Sequence, residues 1–245
     1  MPSLHRIGMI VPSSNTTMET EVPALMQALA PADLAFSFHS ARVRMAHVRQ
    51  DELERMNADA GRAMTELMDA PIDAVAFACL VAIMAMGDGH HRSAETALAR
   101  IAAEAGRDAA VVTSAGALVE ELKLSGAREL ALVMPYGDAL ACRVADYLTA
   151  EGFIIRDYVN LRVTDNTEVG RIGSARVLDA LAALKTDGAD RIVLSACVQM
   201  PSLGALPEAR RRSAVPVTSA AECTAKQILR RLGIALPTEA ALAAE

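Results

Sequence analysis

The sequence predicts an α/β protein of two pseudo-symmetric subdomains, each a four-stranded parallel sheet flanked by helices, with the active site in the cleft between them. Three observations carry that expectation. Apolar runs of strand length alternate with helix-length stretches along the chain, the pattern of parallel sheets wrapped by helices. The runs Ile72-Asp73-Ala74-Val75-Ala76-Phe77-Ala78-Cys79 and Asp190-Arg191-Ile192-Val193-Leu194-Ser195-Ala196-Cys197 match: an acidic residue, an apolar run, then Ala-Cys. Two further junctions recur in the same order. Arg6–Asn15 is echoed by Arg128–Gly137, and Val111-Val112-Thr113-Ser114-Ala115 by Val215-Pro216-Val217-Thr218-Ser219-Ala220. This is a two-copy repeat of large units rather than a solenoid.

In chain order, the first strand spans 6–11 and ends at Pro12 and a polar turn, with a helix over 16–30. A strand at 34–44 leads to a helix over 51–69, which opens with Asp51 and Glu52 in its first turn and closes before Pro71. The run at 72–78 is apolar throughout, as a strand buried on both faces must be. It is followed by a turn beginning at Cys79, a loop over Gly87–Arg92, a helix at 93–105, a strand at 109–112 and a helix at 115–124. The second copy reads strand 129–134, helix 138–150, strand 153–160, one helix over 167–186, strand 190–195, helix 205–212, strand 214–217 and helix 219–232. Residues 1–110 form the first subdomain with Cys79, joined by 218–245 because the last helix crosses back. Residues 111–217 form the second, with Cys197. The Ala-rich tail beyond Pro237 is expected to fray.

Composition narrows the function. The 245 residues are 52% hydrophobic with no Trp, four Phe and three Tyr, so Ala, Leu, Val and Met do the packing. An aromatic platform for nucleic acid is not available. The net charge of −6 also argues against nucleic acid, and the basic run Arg210-Arg211-Arg212 suits a helix C-terminus. No signal peptide precedes the first strand, and no apolar stretch approaches the roughly 20 uncharged residues of a membrane span. The expectation is a cytoplasmic protein with reduced thiols and no membrane contact. The four cysteines show no CxxC or CxH spacing, against both zinc and disulfides.

Strands of an open sheet release their last residues at its carboxyl end, where ligands bind. Cys79 and Cys197 therefore read as one thiol on each wall of a cleft. Such a pair can do acid–base or nucleophilic chemistry on a small molecule without metal or cofactor. Cys142 and Cys223 lie within helices and read as structural. Free amides after Cys79 would lower its pKa. Pro12-Ser13-Ser14-Asn15-Thr16-Thr17 joins a strand to a helix, which is both ordinary capping chemistry and a carboxylate site. Tyr136 and Asn166, in the turns after the fifth and sixth strands, offer a phenol and an amide donor or simply shape those turns. His90 and His91 suit a solvated loop or lid edge. GxGxxG, Walker and HExxH motifs are absent.

The segments Val11–Glu19, Ala78-Cys79-Leu80-Val81-Ala82, Pro135-Tyr136, Val163-Thr164-Asp165-Asn166 and Ala196-Cys197-Val198 resemble maleate cis–trans isomerases of the aspartate/glutamate racemase superfamily, of which arylmalonate decarboxylase is a relative. The resemblance covers nearly the whole chain. It implies cofactor-independent conversion of maleate to fumarate by a homodimer or higher homo-oligomer, with Cys79 as nucleophile and Cys197 as acid and base. Asn15, Tyr136 and Asn166 would hold the substrate carboxylates, with backbone amides near Leu80, Val81 and Val198. Racemisation or decarboxylation of small acids is the alternative for the same cleft. Amino-acid racemases carry Cys-Asn-Thr and Cys-Thr-His motifs, where this chain has Cys79-Leu80-Val81 and Cys197-Val198-Gln199. A non-catalytic acid-binding protein gives no reason for paired thiols.

Overall fold

A computed structural model describes residues 3–237; the expected fraying beyond Pro237, and the end of the 218–245 segment, lie outside the described residues. The first sheet comprises β1 (Ser3–Pro12), β2 (Leu34–Val43), β3 (Ala74–Phe77) and β4 (Ala110–Thr113) in the order β2-β1-β3-β4. The second comprises β5 (Glu129–Met134), β6 (Ile154–Asn160), β7 (Arg191–Val193) and β8 (Val217–Thr218) in the order β6-β5-β7-β8. All six pairings are parallel. The repeat read from sequence is thus a repeat of topology. A division of the chain at 110/111 would cut β4, since the first sheet runs to Thr113.

The strand order decides where the site must be. Each sheet begins at an inner strand, steps outward once, then returns to fill the other side. The connections leaving β1 and β3 therefore diverge, as do those leaving β5 and β7, and each divergence opens a crevice at the carboxyl ends. The β1 crevice holds Ser13–Thr17 and Cys79. The β5 crevice holds Tyr136 and Cys197. β3 and β7 are buried along their whole length, which suits the apolar run of β3 and the Ile192-Val193-Leu194 run that follows Arg191 in β7.

Ten helices pack around the sheets in the described residues: α1 (Met18–Leu29), α2 (Gln50–Met68), α3 (Leu80–Met84), α4 (His90–Glu104), α5 (Ser114–Leu124), α6 (Asp138–Ala150), α7 (Asn166–Gly170), α8 (Ser174–Ala183), α9 (Leu206–Arg212) and α10 (Ala220–Arg231). Three differ from expectation. α4 begins at His90, inside the loop expected over 87–92. α3 occupies the apolar stretch after Cys79, where a turn was predicted. The single helix expected over 167–186 is two, because the chain leaves helical geometry at Gly173, whose extended backbone caps α8. No helix among the described residues is long and apolar enough to cross a membrane. The repeated Thr-Ser junctions do the same job twice: Thr113 Oγ1 caps α5 by accepting from Gly116 N–H, and Ser219 Oγ caps α10 by accepting from Glu222 N–H.

α10 follows the second sheet yet packs on α1, α5, β3 and β4, joining the two sheets mechanically. Residues 220–229 of it are buried, so its charges need partners. Glu222 accepts two bonds from Arg210, 2.7 and 2.8 Å, and one from Thr218, 2.9 Å, with Lys226 at 3.3 Å. Burial alone would raise its pKa, but Lys226, Arg210 and Thr218 outweigh that and hold the carboxyl below its ordinary value. A depressed carboxyl pKa stabilises the fold above the unfolded-state value and loses that contribution as pH falls through the folded one. Glu222→Gln should therefore lose about 2 kcal/mol near neutral pH, discounted for the part-exposed Arg210. The deficit against the parent should shrink as pH drops below about 4, as chemical denaturation at the two pH values would show.

Candidate active site

Cys79 and Cys197 line one cavity, with Asn15, Leu80, Val81, Tyr136, Asn166 and Val198 around them. All eight predicted site residues thus meet. Pro12, Met45, Val48 and Gln199 complete the wall. The cavity is narrow, at about 10 Å³, little more than room for one water. A larger cavity, about 430 Å³, lies elsewhere, between α4, α5 and α10. It holds no thiol and none of these residues, so size does not locate the chemistry here.

Cys79 stands between β3 and α3 with φ 98°, ψ 79°, a left-handed backbone that favours glycine. A side chain there costs about 1–3 kcal/mol, and such strain gathers at functional positions. The geometry turns the chain from strand into α3 within one residue and brings Leu80 and Val81 amides to the cavity wall. Neither amide, nor that of Val198, has an acceptor among the described residues. Asn15 divides its side chain: Oδ1 accepts from Thr17 and Met18 N–H, both 3.0 Å, while Nδ2 has no acceptor among the described residues. It is both a helix cap and a free donor, so the two sequence readings are compatible. Asn166 donates through Nδ2 to Ser14 Oγ, 2.8 Å, across the cleft; its second N–H is uncommitted.

Tyr136, expected as a carboxylate donor, makes a hydrogen bond within the protein. Its hydroxyl donates to the Ala196 carbonyl, 2.9 Å, and lies beside Cys197. One phenolic proton serves one acceptor at a time. Burial, then the two cysteines, push the phenol pKa well up, so the proton stays on oxygen.

The thiols also differ from the sequence expectation. Burial drives Cys79 up to about 12; the Ala82 amide opposes this and Cys197 adds to it. Amides after Cys79 do not win, because only one reaches sulfur and the thiol is desolvated. Burial raises Cys197 too, against Tyr136 hydroxyl and the Gln199 and Met200 amides, the Gln199 N–H lying 3.4 Å from Sγ. The Gln199 and Met200 amides, joined by the Tyr136 hydroxyl when it turns from the Ala196 carbonyl, against the single Ala82 amide at Cys79 make Cys197 the better-supported thiolate. No ionisable side chain other than the two thiols and Tyr136 lines the cavity, so any anion held there is met by neutral dipoles.

Other residues fall outside the site. Cys142 is exposed, and Cys223 is buried beneath Thr218, 3.4 Å away. His90 and His91 start α4 instead of forming a lid edge; His91 is buried with Nδ1 2.5 Å from the Tyr147 hydroxyl, because a helix with an apolar inner face draws it there. Met45 and Val48, just after β2, were not anticipated. Their segment is tied down by Ser14 Oγ donating to the Met45 carbonyl, 2.5 Å, and by Glu52 accepting from Ala46 and His47 N–H. It crosses to the second half through an isolated pairing of His47 with Asp165. Nothing in its sequence pattern distinguishes it from an ordinary loop.

Comparison with known proteins places this geometry. The family model described as arylmalonate decarboxylase matches residues 7–242. A maleate isomerase from Alcaligenes faecalis is 47% identical over 232 residues, 94% of this chain and 92% of the relative. A crystal structure of a maleate isomerase variant from Pseudomonas putida S16, with one cysteine changed to alanine and maleate present, is 43% identical with TM-score 0.92, covering 96% of this chain and 94% of that one. A Nocardia farcinica maleate cis–trans isomerase, with one cysteine changed to serine, holds a covalently bound succinylcysteine intermediate. It is 46% identical with TM-score 0.91 over 94% of each chain.

The strained backbone at Cys79 predicts an inversion of the usual order of substitutions. Cys79→Gly should be more stable than Cys79→Ala by about 1 kcal/mol, measured by denaturant titration. Equal stabilities would remove the strain from the account. Native alkylation near neutral pH should label Cys142 first and leave Cys79, Cys197 and Cys223 behind, as peptide mapping would report.

Proposed function

We infer the chemistry of this cleft from one premise: the chain belongs to the arylmalonate decarboxylase family, and within it stands at 45–47% identity to maleate isomerases over nearly its whole length. The protein is an enzyme that isomerises maleate to fumarate through a covalent cysteine adduct. The observation that carries this reading in the chain itself is the pair of buried thiols in one cavity whose remaining polar groups are neutral donors.

The reaction needs temporary loss of the C=C bond. Thiolate addition at one alkene carbon supplies it. In our assignment Cys79 is that nucleophile. Cys197, the thiol with more donors, first holds the negative charge and takes the Cys79 proton once substrate is enclosed. Cys79 sulfur then bonds to one alkene carbon, and the π pair moves toward the carboxylate on the other. The resulting enediolate-like charge is met by preorganised amides of Leu80, Val81 and Val198 and by Asn15 and Asn166. Cys197 returns the proton to carbon, leaving a succinyl thioether on Cys79 and a thiolate at Cys197. Rotation about the new single bond brings the carboxylates anti. Cys197 removes the proton again, the C–S bond breaks with its electron pair going to Cys79 sulfur, fumarate leaves, and Cys79 takes the proton back from Cys197, which restores both thiols to their starting states. Tyr136 keeps the Cys197 thiolate in reach of a donor, turning between Sγ and the Ala196 carbonyl.

Proton NMR of the protein with maleate alone should show fumarate with nothing else added. Decarboxylation of aryl malonates in place of that conversion would favour the alternative chemistry. The thiol assignment is separately checkable. Cys79→Ser should lose turnover by several orders of magnitude, since an alcohol is a far weaker nucleophile than a thiolate. Cys197→Ser should stall with a mass increase equal to one maleic acid on Cys79. An adduct mapped to Cys197 in the parent would reverse the two roles.

A further inference from the structure

We propose that Gln199 is a positioning residue that holds the carboxylate-binding donors of the two halves in register. The proposal rests on the isomerase reading for its kinetic test, and on geometry for its existence. Gln199 is 2% exposed and lies in the turn after Cys197. Its side chain crosses into the first half, where Oε1 accepts from Thr16 N–H at 3.1 Å. Its Nε2 donates to two carbonyls: Ser14, 3.2 Å, in the first half, and Asn166, 2.7 Å, in its own. Its backbone N–H meanwhile points at Cys197 Sγ, 3.4 Å. One residue thus touches the loop that carries Asn15 on both sides, the backbone of Asn166, and the second thiol.

The surroundings are built for this side chain. Gly170, ending α7, faces it so closely that an added Cβ would stand 2.7 Å from Nε2. Both amide hydrogens of Nε2 and the single carbonyl have partners, so the orientation is fixed. A Glu there would set a carboxylate oxygen against two carbonyls. An aliphatic chain would leave the Ser14 and Asn166 carbonyls and the Thr16 N–H without it. Asn15 and Asn166 have few other restraints: Asn15 is tied through its cap, and Asn166 through Ser14. Displacing Gln199 therefore moves both donors relative to the thiols without removing either.

The test compares parent, Gln199→Met, Gly170→Ala, Asn166→Ala and the Gln199→Met/Asn166→Ala double variant. Gln199→Met keeps the volume and removes the bonds. It should lower kcat/KM for maleate roughly tenfold to a hundredfold, mainly through KM. Gly170→Ala, which displaces the side chain without deleting it, should shift KM in the same direction. In the Asn166→Ala background the further loss from Gln199→Met should be smaller than in the parent, because the part that acts through Asn166 is already gone while the part through Asn15 remains. Hydrogen exchange gives a readout that needs no turnover: the Thr16 amide should be protected in the folded parent and exposed in Gln199→Met. Parental kinetics in both single variants, full additivity in the double variant, or an unprotected Thr16 amide in the folded parent would each overturn the proposal. A parent that makes no fumarate overturns the isomerase reading instead, and the Thr16 amide still decides the role of Gln199.

Discussion

A thiolate in a dry cavity is costly unless dipoles meet it, and Cys79 and Cys197 face that cost together, each 7% exposed within one cavity. Much of the architecture answers to it. The two sheets share one strand order, so each delivers a cysteine from a buried third strand to the same face. Around the sulfurs the chain presents N–H groups rather than cations. A lysine or arginine would stabilise one thiolate permanently, whereas amides and a phenol stabilise whichever sulfur carries charge at the moment. Low pKa is thereby sacrificed. In return, charge can rest on either sulfur without leaving a counter-ion stranded.

Holding that arrangement requires the halves to be fixed to each other at the site. Glu21 of α1 accepts from Ser202 N–H and Oγ–H, both 2.8 Å, and from Leu203 N–H, 2.7 Å, fastening the segment beyond Cys197 to the first helix. Asn166 and Gln199 add bonds to the Ser14–Thr16 loop. Ser195 Oγ sits within reach of the Cys197 and Met200 carbonyls, 2.8 and 2.9 Å, and shapes the turn from beneath. Buried charge and amide groups of this kind are restrictive in geometry more than they are stabilising. They explain why a cavity this small lies at the junction of two units and not inside one.

The topology was legible because parallel strands buried on both faces leave unbroken apolar runs, and both Ala-Cys termini follow such runs. Eight strands appear in the expected order, with β7 and β8 only three and two residues long and β8 sharing just Val217 with the expected 214–217. The site residues were legible where a strand ends, since Asn15, Tyr136 and Cys197 sit at switch points fixed by order alone. α3 was not, because Leu80–Met84 is apolar on every side and lacks a helical period. The left-handed backbone of Cys79 was hidden too: nothing in a cysteine's identity signals positive φ. The thiol pKa direction was missed for a related reason. Sequence shows that amides follow Cys79, but only the fold shows that the Ala82 amide is the one acting on a buried, desolvated sulfur.

Strain and closure belong to the same design. Were Cys79 a residue of ordinary backbone geometry, α3 would begin later and its first amides would face the protein interior instead of the cavity. The left-handed turn at φ 98° lets one residue line the cavity and cap α3 at once. Its strain is tolerable because Ala76, Phe77, Ala78, Leu80, Val81, Ala82 and Ile83 are all buried, so the surrounding core over-determines the conformation. The same burial that makes the thiol reluctant to ionise is therefore what keeps its donors aimed. A looser site with a more acidic Cys79 would give up the preorganisation that stabilises charge on the substrate, and charge on carbon is harder to bear than charge on sulfur.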